Sequence, residues 1–327
     1  MSSYTIISSL LHSVGFVQTP LPSSLEDNDA SVLIILLETN PMYWESPSGR
    51  SSGSAAADGL DSTLRQLFVF INAYLSLHQQ NRLAVIAMHS DGCHYLYASP
   101  LEEESDDTAY AETRGFTNKV GGLEPIQADV CSQIIESLSK LAPCPTEFKT
   151  AIGKKGDAAV TRDAVTTPLA AALSMAMCYC NRLQNRGTTH AVAPRILCMQ
   201  GSSDTSSQYI AMMNGIFSAQ RAGIPIDSCV LGDYDSAFLQ QAAHISCGLY
   251  YKPRRGDALL QYLLSISSAD QHSRKFLHLP NQRGIDFRAS CFCHKQPVDA
   301  GFVCSVCLSI FCQDHACCPT CGADFTV

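Results

Sequence analysis

Lysine and arginine are scarce in this chain: 22 stand against 30 aspartates and glutamates in 327 residues, a formal net charge of -8. Proteins that track the phosphates of nucleic acid rely on clustered Lys and Arg, so the main surface is better suited to contact with protein. Long apolar runs are missing as well, and none approaches the roughly 20 residues needed to cross a bilayer. Met1 to Val14 carries no Lys or Arg ahead of its short apolar stretch and no small-residue cleavage site, which argues against a secretory leader. No Gly-rich phosphate loop follows the first strand, no Gly-x-Ser-x-Gly elbow occurs, and no carboxylate pair stands beside a base. The chain is therefore not expected to be an enzyme. No repeat of roughly 20 to 50 residues is apparent either.

What is present is apolar sequence, 46% of the chain, enough for one large domain with a small appendage. From Ser31 onward short apolar runs alternate with helical patterns, the signature of a mostly parallel sheet covered by helices on both faces. Val32 to Leu37 is apolar throughout and reads as a strand buried on both sides. Leu83 to Met88 and Cys93 to Ala98 form a hairpin around Ser90, Asp91 and Gly92, so one edge strand should be antiparallel. Further strands are expected at Arg195 to Met199, Ile226 to Leu231 and Gly248 to Tyr251. Helices are expected after Asp61, a plausible cap, at 128–141, after Thr167-Pro168, at 207–221, 235–245 and 257–265. The resulting division is an extension at 1–30, an α/β domain at 31–268, a linker at 269–288 and a compact module at 289–327.

Sixteen cysteines without an export signal point to a reducing compartment, where cysteine is a small hydrophobe or a metal ligand. Eight of them crowd between 291 and 321. Cys304 with Cys307 and Cys318 with Cys321 are two Cys-x-x-Cys pairs, each able to present both sulfurs from one tight turn, and four thiolates close a tetrahedral zinc site. Such a segment has too little apolar surface to fold alone, so structural zinc would supply about 10 kcal/mol or more. Cys291, Cys293 and Cys312 with His315, or with His294 or Cys317, could build a second, cross-braced site. A disulfide framework would require export, and a catalytic zinc would keep one position open.

Glu38-Thr39-Asn40-Pro41-Met42 at the end of the first strand and Thr166-Thr167-Pro168-Leu169 before the later helix resemble a von Willebrand factor A domain. In that family Asp-x-Ser-x-Ser, a threonine and a later aspartate hold magnesium. Glu38, Asn40, Met42 and Gln200-Gly201 depart from that pattern and leave too few oxygens for a hard cation. Over nearly the whole chain, the sequence resembles the smaller von Willebrand A/zinc-finger core subunits of general transcription and DNA-repair factor IIH (TFIIH). The segments that carry this are Asn40-Pro41 with Trp44, Leu83-Ala-Val-Ile-Ala, Gln240-Gln-Ala before Gly248-Leu-Tyr, Leu259-Leu-Gln-Tyr-Leu-Leu, Phe287-Arg-Ala-Ser-Cys-Phe-Cys-His and Gly301-Phe-Val-Cys-Ser-Val-Cys-Leu-Ser-Ile-Phe-Cys. The resemblance implies a non-enzymatic nuclear scaffold in transcription initiation and nucleotide excision repair. Its A domain would dock on the zinc-binding domain of the larger A-domain subunit, among the other TFIIH core subunits. The alternative is a RING-like ubiquitin ligase. Direct DNA contact is left open: Lys252, Arg254 and Arg255, or Arg274 and Lys275, are short basic groups of the kind found in solvated loops.

Overall fold

The computed structural model describes residues 31–44, 59–78, 80–99, 127–141, 167–185, 193–232, 235–253, 258–280, 289–294, 297–307 and 309–324. The amino-terminal extension, the acidic connection after Pro100 and the Gly153 to Gly156 loop lie outside these residues, as do Arg254 and Arg255.

Six strands form one sheet: β1 (Ser31–Glu38), β2 (Arg82–His89), β3 (Gly92–Ala98), β4 (Ala193–Gln200), β5 (Ile226–Val230) and β6 (Tyr250–Tyr251). Their order is β3-β2-β1-β4-β5-β6. All neighbours are parallel except the β2–β3 hairpin, so the antiparallel edge falls where the turn signal placed it. Helices α1 (Pro41–Trp44), α2 (Leu60–Leu77), α3 (Gln127–Ser139), α4 (Leu169–Asn185), α5 (Tyr209–Arg221), α6 (Ala237–Ile245) and α7 (Leu259–Tyr262) connect and cover the strands.

Side chains alternate across a strand, and β1 feeds two cores at once. Val32, Ile34 and Leu36 pack with α4, α5 and α6, whereas Leu33, Ile35 and Leu37 pack with α2, α3 and α7. That double burial is why the run contains no polar residue between Ser31 and Glu38. Local details differ from the sequence reading. Asp61 does not cap α2; Gly59 stands at that position, and Asp61 instead pairs with Arg65 one turn on. The last helix passes from α7 into a π-helical turn at Leu263–Ser267.

The segment read as a linker is anchored at its start. A 3-10 turn at Ser273–Lys275 presents Arg274, whose guanidinium donates to both oxygens of Asp227 on β5 at 2.8 and 2.5 Å. Arg195 on β4 donates to the carbonyls of Ala269 and Ser268 at 2.6 and 3.3 Å. A carboxylate inside a buried strand demands such a partner.

Short antiparallel pairs shape the carboxy-terminal module: β7 (Ala289–Ser290) with β8 (Pro297–Val298), and β9 (Phe302–Val303) with β10 (Ile310–Phe311).

Candidate metal centres

Each Cys-x-x-Cys pair sits in a turn closed by its own backbone. Cys304 N donates to Ser309 O at 2.9 Å, and Cys318 N to Ala323 O at 2.7 Å, the latter turn passing through Gly322 at a φ of 73°, where a side chain would be strained. The four sulfurs converge: all lie within 4.8 Å of one another, with Cys304 and Cys321 at 3.7 Å and Cys307 and Cys318 at 3.6 Å. Tetrahedral zinc–thiolate bonds of about 2.3 Å would set sulfurs about 3.8 Å apart, so the cage matches that ion. Hydrogen bonds with the Ser309 side chain and backbone bring the Cys307 thiol down to about 6, favouring the thiolate that a metal needs.

A second group interleaves with the first in sequence: Cys291, Cys293, His294 and Cys312 also lie within 4.8 Å of one another. Cys293 and His294 Nδ1 approach Cys312 Sγ at 3.3 and 3.1 Å. An amide hydrogen bond from Cys312 lowers the Cys293 thiol, while its neighbour Cys312, sharing a hydrogen bond with Cys293, is pushed up to about 11. Sulfurs this close divide protons between them unless a cation neutralises both.

The histidine that joins this group is His294, and His315 stands apart from it. Phe292 N donates to Ile310 O at 2.8 Å, which draws the 291–294 turn alongside Cys312. His315 instead sets its ring edge-on to Phe311, with centroids 5.2 Å apart. Cys317 is likewise outside both groups and bridges to Asp324 through its backbone.

At the carboxyl edge of the large sheet, the ion-site positions have a different arrangement. Glu38 closes β1 fully buried. Thr167 Oγ1 donates to one carboxylate oxygen at 2.5 Å, and the amides of Gly201 and Ser202 donate to the other at 2.6 and 2.9 Å. Asn40 Nδ2 and Ser202 Oγ then donate to Thr167 Oγ1 at 3.3 and 3.0 Å. Tyr43 lies over Gly201 so closely that a Cβ there would meet its ring at 2.0 Å. Both Glu38 oxygens are thus engaged by protein donors that a cation would have to displace. Thr167 stands just before α4, where a hydroxyl could cap it, but its hydroxyl is taken by Glu38. Gln208 supplies the cap instead, accepting from Ala170 N at 3.1 Å and donating to Thr167 O at 2.8 Å.

A sequence model of transcription factor Tfb4 matches residues 30–322. The chain belongs to the Tfb4 family. Its curated relatives include the Arabidopsis thaliana general transcription and DNA repair factor IIH subunit TFB4, 41% identical over 306 residues that cover 93% of this chain and 92% of that one. The Schizosaccharomyces pombe subunit tfb4 is 38% identical over 309 residues, again 93% and 92% of the two chains. Among solved structures, the crystal structure of the TFIIH p34 N-terminal domain aligns at a TM-score of 0.50 and 23% identity, over 72% of this chain and 96% of that one. The large domain of this Tfb4-family chain has the von Willebrand A-like α/β fold. Two features of it were not read from the sequence: the donors around Glu38, and the Arg274–Asp227 pair. A lone aspartate in the otherwise uncharged strand at 226–230 was the available signal for the second.

Proposed function

We propose that this Tfb4-family chain is a non-enzymatic structural subunit of the TFIIH core, acting in the nucleus in transcription initiation and nucleotide excision repair. Its A-like domain docks on the zinc-binding domain of the larger A-domain subunit. The observation that carries this reading is family membership over residues 30–322, with relatives bearing TFIIH subunit names along nearly their whole length. The filled Glu38 site supports the same reading, because a domain with its carboxylate satisfied internally has no need of a cation to hold its docking surface. The two convergent groups in the tail would hold structural zinc: Cys304, Cys307, Cys318 and Cys321 in one, and Cys291, Cys293, Cys312 and His294 in the other. Their donors are thiolates and imidazole, the soft set that zinc favours. The ubiquitin-ligase alternative draws only on the interleaving of the ligands, which serves a scaffold equally well.

Two of the basic groups named for DNA contact face carboxylates. Arg274 is buried against Asp227, and Lys252 lies 3.4 Å from Asp235. Co-purification of the tagged chain from nuclear extract, with associated chains identified by mass, tests the reading. Recovery of the TFIIH core, its helicases included, is expected; a chain recovered without any of them would overturn it.

A further inference from the structure

The helices on the two faces of the sheet differ in their outer chemistry. On one face, α2 carries the exposed ion pair Asp61–Arg65 and α3 leads into the pair Glu136–Lys140. Exposed apolar side chains occur there too, Val69 and Leu77 on α2 and Ile135 on α3, but on helices that also carry those charges. On the other face, α4 and α5 contain no aspartate or glutamate at all, in a chain with 30 of them.

The outward residues of α4 are small: Ala171, Ser174 and Cys178 are exposed at one-turn steps. Those of α5 include Ile210 and Phe217, 46% and 49% exposed, with Asn214 between them. The two helices lie close enough that a Cβ on Gly215 would meet Leu173 at 2.8 Å, and Gln208 reaches Ala170, so their outer faces share one surface. A low shelf of small residues beside an aromatic and an isoleucine allows another backbone to approach and gives it anchors. The charges on these helices are Arg182 and Arg221, both in the last turns, and neither forms an ion pair among the described residues. Helix dipoles favour cations at these ends, but they do not explain two helices without a single carboxylate.

Resting on the TFIIH reading above, we propose that the outer face of α4 and α5 docks another protein subunit whose surface is apolar at its centre and carries carboxylates opposite Arg182 and Arg221. A second copy of this chain does not fit. An isologous contact must be self-complementary, and these two helices carry two cations and no acid to receive them.

The full-length chain, alone and in the core assembled with co-expressed TFIIH subunits, is labelled briefly with a maleimide, and modification at Cys178 is read by mass spectrometry. Cys247, exposed in the turn after α6, serves as the internal reference. Protection of Cys178 by about tenfold or more relative to Cys247 is expected in the assembly. Phe217→Asp is expected to reduce incorporation about thirtyfold, the scale of one buried aromatic anchor, with unchanged melting of the free variant. Arg182→Glu with Arg221→Glu should slow incorporation most at low salt. If the core assembles while Cys178 stays as reactive as in the free chain and F217D enters normally, this docking face is wrong and the TFIIH reading stands. If the wild-type chain fails to enter the core, both fall. Protection of Cys178 in the chain alone, rising with its concentration, would show a self-contact and would also overturn the proposal.

Discussion

Glu38 illustrates how one methylene group changes the role of a position. The aspartate expected there would end short of the Gly201 and Ser202 amides; the glutamate reaches them and ties the ends of β1 and β4 to Thr167 at the head of α4. Glu38→Ala leaves buried donors unpaired. It is expected to cost about 3 kcal/mol and to lower the melting temperature by about 5–10 °C. Magnesium, or a chelator too weak to strip zinc, should leave wild-type melting unchanged; a clear upward shift with magnesium would show that a cation competes for the carboxylate. Asp227→Ala strands the Arg274 guanidinium, which is only 9% exposed, and is expected to cost about 3–5 kcal/mol in urea unfolding. Asp204 accepts from Ser236 Oγ and Phe238 N at the head of α6, and burial raises its carboxyl above the ordinary value despite those bonds. A carboxyl raised in the folded state binds more protons than in the unfolded chain, so its contribution improves as pH falls through the window above 3.8. The stability of the wild type relative to Asp204→Asn, measured at pH 7 and pH 4, should therefore shift toward the wild type at the lower pH.

At the scale of elements, the sheet was legible because parallel strands buried on both faces must be continuously apolar, and the runs at 32–37, 83–88 and 195–199 lie within β1, β2 and β4. Helix ends were less legible. The cap of α4 comes from Gln208, 38 residues away from Ala170, and no local pattern announces an acceptor at that distance. The π-helical turn after α7, which buries Leu263 and Ile266 in the core, likewise has no mark in their periodicity. In the tail, the Cys-x-x-Cys turns are visible as spacing, but the choice of His294 over His315 depends on Phe292 bonding Ile310, a contact between two turns. Cys304→Ser or Cys318→Ser is expected to unfold the module and leave the sheet's melting transition in place. Loss of the single cooperative transition in either variant would show the two parts to be one unit.

For the whole molecule, the tail's two convergent groups of cysteine and histidine side chains lead to an expected content of two zinc ions per chain by elemental analysis of reduced protein. One ion would remove the His294 group, and none would remove both. Where the tail begins also matters for assembly. Arg274 fixes the chain to β5, and 17 residue steps separate it from Cys291. Covalent geometry alone limits that span to about 60 Å. The Arg274 anchor therefore bounds how far the cysteine-rich module can lie from β5, and with it how far apart two contacts on one binding partner could fall. Arg274→Ala would move the nearest fixed point back along the chain and widen that bound, so any avidity between two such contacts should fall while each contact alone holds.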